Sequence, residues 1–370
     1  MSKVMMICGT FPPAHCGVGD YTYELLSSMT KLGHSVIMLT SSEYVNGDNN
    51  VRGIENWRKI DVIRKIINIA KEEMCSIIHI QWPSVSYFGS KTLMILIPIL
   101  RFAGFKVILT LHEFNDCTTN YKIGRIPSIL FATHTIVVDI KFIPEIKKYI
   151  PVKRKSNISF INIGSSIPFC KSKKDEILKL RETITNLDDE KIIISHFGFV
   201  NESKRVDVVL RALGRLKSKG KKFVYLMLTD LSYVDPIEYR KLIEIIHEND
   251  LENDIVETGF LEKEDVAKYL KCSDLAVLLF NKGVSPRNSS FLAAVQQGVK
   301  VITSDPKVEL GFPADTVTFV DNDVNLLAET IIEIGYVDKY TVPQKAVVPQ
   351  FDDIAIKHYD LYKNLDSKIE

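Results

Sequence analysis

Short, continuously apolar runs alternate with helix-spaced segments along almost the whole chain, and that alternation leaves few folds open. Residues 3–8, 35–40, 77–81 and 106–112 read as strands, with shorter ones at 135–139 and 158–163. Between them, Tyr21, Leu25, Leu26, Met29 and Leu32 recur at helical spacing and Gly33 supplies a stop. Helices are also predicted over 60–71 and 90–103. Strands that are apolar throughout belong to a parallel sheet covered on both faces. The pattern restarts after a polar, Lys-rich stretch at 171–191. Strands at 192–197, 223–229, 255–258, 275–280 and 300–304 then alternate with helices at 206–220, 236–250, 263–271 and 324–334. The expectation is an α/β protein with two doubly wound, Rossmann-like domains, 1–170 and 171–350. Facing each other, two such domains would form a cleft beyond the carboxyl ends of their strands, where open α/β sheets bind ligands.

The chain has 370 residues, long for one core and natural for two. Its formal net charge of +1 gives no global field that would draw nucleic acid. Six cysteines without CxxC spacing argue against structural zinc and a disulfide framework, and suit a reducing cytosol. The first residues have too short an apolar core for a signal peptide. The longest apolar run, 93–100, is flanked by Lys91 and Arg101 and is too short to span a bilayer. It reads as a buried helix, with docking to a membrane surface as the alternative.

Chemistry concentrates in a few places. Residues 281–305, NKGVSPRNSSFLAAVQQGVKVITSD, read as loop, helix start, short helix, glycine stop and buried strand. Unpaired N–H groups and a positive dipole end at Ser289 and Ser290, with Arg287 just upstream, suit a phosphate; an ordinary loop–helix–strand unit is the plain alternative. Lys204 sits between a strand end and a helix, placed to reach such a phosphate as a point charge. His112 ends a strand of the first domain, where its ring could donate to a sugar hydroxyl or a backbone carbonyl. Glu113 beside it reads either way, and His196 reads as packing. Gly17 and Gly19, in CGVGDYT, would let a backbone approach a ligand closely. They do not make a dinucleotide fingerprint. The third glycine is missing and the turn is too long, although Glu43 stands roughly where a ribose acid would. Asp321-Asn-Asp323 has the spacing of a metal-binding DxD, but Asp323 directly precedes a helix and reads as its cap. No P-loop, HExxH, EF-hand or GxSxG pattern is present.

Taken in order, several blocks resemble the GT-B-fold glycosyltransferases of the large retaining family 4, the glycogen-synthase-like enzymes. These blocks are FPPAHCGVGDYTYELLSSMTKLGHSV, IIHIQWP, VILTLHEF, INIGSSIP, HFGFVNESKRVDVVLRAL, VETGFLEKEDVAKYLKCSDLAVLLF, GVSPRNSSFLAAVQQGVKVITS and FDDIAIKHYDLYKNL. The resemblance implies a metal-independent hexosyltransferase with a UDP- or GDP-linked sugar as donor and no cofactor. Its acceptor would be a hydroxyl of a growing glycan or of a lipid-linked saccharide. Gly17 and Gly19 would lie against diphosphate and acceptor, and His112 beside the transferred sugar. Gly198, Lys204, Ser285, Arg287, Ser289 and Ser290 would surround the diphosphate end of the donor. The backbone of Gly259, Phe260 and Leu261 would hold the base. The terminal segment, 351–370, would be a helix crossing back to the first domain. Bacterial polysaccharide assembly in the cytoplasm is the implied setting, with peripheral contact at the inner membrane face left open.

Departures from the family pattern matter. Two glutamates eight apart are replaced by Ser285 and Ala293, an arginine by Phe199, and a glycine by Arg205. A bacterial branch resembles SxRxxSLLAALAxG, which Ser285, Arg287, Ser290 and Ala293–Ala294 match. The implied site is therefore rewired, with Arg287 supplying charge that Phe199 lacks. The missing glutamates also admit a non-catalytic binding subunit. The fold itself admits a phosphorylase or an epimerase.

Overall fold

The structure is a computed structural model that describes residues 3–14, 16–45, 47–82, 87, 89–90, 92–115, 117–306, 312, 315–337 and 348–367. The chain divides into two compact units, Met1–Gly164 with Pro349–Glu370, and Ser165–Val348. Each is a parallel sheet wrapped in helices, as the unbroken apolar strands require.

In the first unit, β1 (Lys3–Ile7), β2 (Val36–Ser41), β3 (Val51–Ile54) and β4 (Cys75–Trp82) are followed by β5 (Lys106–Leu111), β6 (His134–Val137) and β7 (Ile158–Phe160). All pair in parallel, in the order β3-β2-β1-β4-β5-β6-β7. The order reverses at β1, so crossovers on its two sides cover opposite faces. The helices are α1 (Gly17–Lys31), α2 (Asp61–Glu72), α3 (Leu93–Phe102), α4 (Thr119–Phe131) and α5 (Phe142–Ile146). The terminal helix, α12 (Phe351–Asp366), packs beside α1 in this same unit. Its His358 is fully buried, and Lys106 at the start of β5 pairs with Asp366 at 3.1 Å.

The second unit repeats the plan. Its strands are β8 (Ile192–Phe197), β9 (Phe223–Leu228), β10 (Ile255–Glu257), β11 (Leu275–Leu278), β12 (Lys300–Ser304) and β13 (Val317–Val320). They are parallel in the order β10-β9-β8-β11-β12-β13. Around them lie α6 (Lys174–Thr185), α7 (Val206–Ser218), α8 (Pro236–Glu248), α9 (Lys263–Cys272), α10 (Ser289–Gln296) and α11 (Val324–Ile332). The all-parallel α/β architecture is the expected one. Five elements add to the sequence reading. The Lys-rich stretch contains α6, and β3, α4, α5 and β13 occupy stretches in which it names no element. Lys91, read as a flank of the apolar run, lies outside the described residues.

Candidate active site

Because every strand of the second sheet is parallel, all of its strand ends with exposed carbonyls share one edge. The chain leaves β8 through Gly198, whose φ of +112° favours glycine. A side chain there would also press on Ser290, with a Cβ only 3.3 Å from the Ser290 Cβ. The exit of β8 thus lies directly against the first turn of α10. The loop after β8 is pinned to the loop after β11. Asn281 N donates to Ser203 O at 2.9 Å and Asn281 Nδ2 to Glu202 O at 3.2 Å. That pairing brings Lys204 back over the Phe280 ring, its Nζ 4.3 Å from the centroid. The ring face attracts the ammonium. Among the described residues, Lys204 forms no ion pair, and burial pushes its ammonium down to about 8. Burial, and then the Lys204 charge, push His196 down to about 4. His196 is a neutral ring facing backbone groups of Val277 and Gly198 without a hydrogen bond of normal geometry.

The 281–288 loop is held in shape from within. Gly283 has φ +80°, and a Cβ there would collide with the Asp305 carbonyl, so no other residue fits. Asn288 stands at the N-cap position of α10, yet its side chain does not cap the helix. Its Oδ1 instead accepts from Ser285 N at 2.7 Å, and Ser285 Oγ accepts from Arg287 N at 3.2 Å. The first N–H groups of α10, at Ser289 and Ser290, therefore have no capping side chain and remain available to an anion. Ser290 is buried and Ser289 exposed. Gly198 is thus set against Ser290 and Lys204 against Phe280, with the Ser285–Arg287 turn one step upstream of α10. Gly259, Phe260 and Leu261 follow β10 on the same sheet edge, separated from β8 by β9. Asp323 caps α11, its Oδ1 accepting from Asn325 N at 3.0 Å and Leu326 N at 2.8 Å. Asn322 bridges Ser304 and Phe280, and so supports the same loop.

The carboxyl edge of the first sheet is of another kind. His112 follows β5, half-buried, with the Tyr21 ring edge-on at 4.8 Å. Its Nε2 lies 2.9 Å from Gln81 Oε1, and since that oxygen only accepts, Nε2 carries the proton. The other end of the same amide, Gln81 Nε2, donates to His79 Nε2 at 3.4 Å, and Thr110 Oγ1 lies 2.7 Å from that nitrogen. His79 Nδ1 then donates to Tyr362 of α12 at 2.6 Å. A parallel link joins Tyr21 to His358 Nε2 at 3.4 Å, because His358 Nδ1 donates to Ile354 O at 2.8 Å. Burial holds His79 well below the usual imidazole range and His358 near 4, so both are neutral. Sequence reasoning passed over Gln81 and His79. Two polar residues on one face of an otherwise apolar strand were the available signal.

Gly17 and Gly19 are not in a loop: α1 begins at Gly17. Gly19 is small because α1 packs on the Thr10–Phe11 backbone, where a Cβ would stand 3.1 Å from Thr10 O. Gly17 faces open space, and Cys16 at the N-cap position makes no side-chain cap. Arg205 adopts a left-handed conformation with φ +48°, which explains why glycine is usual there, and pairs with Asp207 at 3.2 Å.

Two units of this topology define the GT-B class of glycosyltransferase folds, and solved structures agree over the full length. The glycosyltransferase from Rickettsia africae ESF-5 superposes with a TM-score of 0.74 at 18% identity, over 99% of this chain and 97% of that one. Sucrose-phosphate synthase from Thermosynechococcus elongatus gives 0.74 at 14%, over the whole of both chains. HepE of Anabaena, in complex with UDP and glucose, gives 0.71 at 15%, over 99% and 100%. More particularly, residues 179–335 match the family described as Glycosyl transferases group 1, so the second unit carries that family's sequence pattern. No curated protein sequence matches the chain.

Proposed function

We propose that the protein is a retaining, metal-independent glycosyltransferase. It moves a hexose-type sugar from a UDP- or GDP-linked donor to a hydroxyl of a glycan or a lipid-linked saccharide. One observation carries the reading: the ammonium of Lys204 is largely buried over the Phe280 ring with no carboxylate partner among the described residues, in the loop whose first residue, Gly198, lies against the uncapped first turn of α10. Desolvating a cation is unfavourable unless an anion joins it. A diphosphate would supply that anion to Lys204, to the α10 N–H groups and to Arg287. The likeness of the fold to HepE, which binds UDP and glucose, supports a nucleotide-sugar donor.

In the reaction, the bond from the sugar's anomeric carbon to the diphosphate oxygen breaks, and its electron pair leaves with the diphosphate. The acceptor hydroxyl closes on the same face and passes its proton to the departing phosphate. Lys204, Arg287 and the helix start would stabilise the charge that develops on the leaving group. On the other unit, the Nε2–H of His112 is already engaged by Gln81. Held by that bond, the His112 ring would stand beside the transferred sugar.

Calorimetry with UDP, GDP and ADP, followed by product analysis with the matching sugar nucleotides, tests the reading. Binding of one nucleotide by the native protein and loss of that binding in Lys204→Ala are expected. A well-folded protein that binds none of them would overturn it in favour of a non-catalytic role.

A further inference from the structure

The reaction leaves unused a cavity at the amino edge of the first sheet. It measures about 280 Å³ and lies between the end of α1, the starts of β1 and β2, and the later turns of α12. Because every strand is parallel, this is the end of the sheet opposite to His112. Small-molecule sites begin near 300 Å³, so the space suits a compact molecule.

The lining says what kind of molecule fits. Met29 and Val36 give it apolar surface. His34 and Tyr359 add two rings stacked on one another, with centroids 3.6 Å apart and planes 17° from parallel. Burial lowers His34 below the usual imidazole range, so the stack is neutral at pH 7. Lys363 and Asp366 supply the charge. The Asp366 carboxylate already meets Lys106 at 3.1 Å, whereas Lys363 forms no ion pair among the described residues. A flat apolar wall with one ammonium left over complements a compact organic acid, such as an aromatic carboxylate or phosphate ester.

The same cavity touches the hydrogen-bond chain of the first sheet. Tyr362 lines it, and the Tyr362 hydroxyl is the partner of His79 Nδ1 at 2.6 Å. From His79 the chain runs through Gln81 to His112. His79 and Gln81 are wholly buried, so the chain crosses the sheet without reaching solvent. An occupant pressing on the Tyr362 ring changes where that hydroxyl stands, and the change passes along these bonds.

We propose that this cavity binds a small organic acid with a flat apolar body, and that its occupancy is felt at His112 through Tyr362. The proposal does not rest on the glycosyltransferase reading. Benzoate, phenylacetate and phenyl phosphate are the probes, titrated into full-length protein carrying isotope-labelled histidine. The imidazole signals of His34 and His112, each identified by its loss in the corresponding Gln variant, are followed by NMR. Both should move together as a probe binds, and acetate, which lacks the flat body, should bind at least about tenfold more weakly. Lys363→Met should weaken binding about tenfold, and Ser35→Trp, which fills the cavity, should abolish it. Lys363 and Ser35 are exposed, so both variants fold. Tyr362→Phe should keep the His34 response and lose that of His112. No response of His34 to any probe, equal binding of acetate, or binding unchanged in Lys363→Met and Ser35→Trp would overturn the site. A His112 signal that stays still, or that moves equally in Tyr362→Phe, would overturn the coupling.

Discussion

The two sheets share a topology, yet their carboxyl edges are built on opposite electrostatic plans. In the second unit, a cation with no carboxylate partner among the described residues stands over an aromatic ring, on the same strand-end edge as an uncapped helix start. In the first, every group of the His112–Gln81–His79–Tyr362 chain has a hydrogen-bond partner and the buried imidazoles are neutral. One edge is left wanting an anion, and the other is already satisfied and serves to hold a ring in place. The comparison teaches that a shared fold decides where chemistry sits, while a few side chains decide what kind it is.

Substitutions can break that contrast. Lys204→Ala should lower transfer most, on the order of 100-fold, and weaken UDP binding as well, with the circular dichroism spectrum unchanged. Arg287→Ala should lower turnover by at least about tenfold by the same measurements. Full activity in both variants would place the donor elsewhere. His112→Ala should reduce transfer by roughly tenfold while leaving nucleotide affinity within about twofold, because it belongs to the neutral edge. An equal loss in both quantities would erase the distinction between the edges.

The pH dependence of UDP binding sharpens the comparison further. Lys204 loses its proton near pH 8 in the free protein, against an ordinary value of 10.5. Its burial therefore disfavours the folded state below pH 8, and the penalty fades as pH rises from 8 towards 10.5. A bound diphosphate favours the ammonium, so affinity should fall as pH climbs above 8 and binding should take up a proton. Titration calorimetry in buffers of different ionisation enthalpy reads that proton, which should vanish in Lys204→Ala. The smallest effect expected is Arg205→Gly, which relieves a left-handed residue and loses its ion pair with Asp207. Urea unfolding should show a gain of up to about 1 kcal/mol.

Much of this was legible in the amino-acid order, and the parts that were not share a cause. Strands buried on both faces, such as β9 and β11, announce themselves as unbroken apolar runs. Edge strands β3 and β13 do not, because the middle residues of each are partly exposed and only their ends are buried. Helix α6 buries fully only Thr185 and is fastened by Arg181, which binds Asp274 at 2.8 Å and the Lys191 carbonyl at 3.1 Å. A helix held by a polar clamp has no apolar stripe to read. In α4, Gly124 and Pro127 masked a helix that the Thr118 cap and the packing on α3 nonetheless support. At the candidate site, Lys204 and the α10 start could be placed from strand–loop–helix order alone. Gly283, Asn288 and Gln81 could not, since their roles depend on neighbours distant in sequence or on the precise loop path.

The return of α12 to the first unit has a consequence for the order of assembly. His79, made early, finds its Nδ1 partner only in Tyr362, and Tyr21 finds His358. The lobe that leaves the ribosome first therefore stays incomplete until the final turns of the chain arrive, whereas Ser165–Val348 can close its core unaided. Chains halted at Val348 should accordingly yield to protease across 1–164 while the later lobe resists.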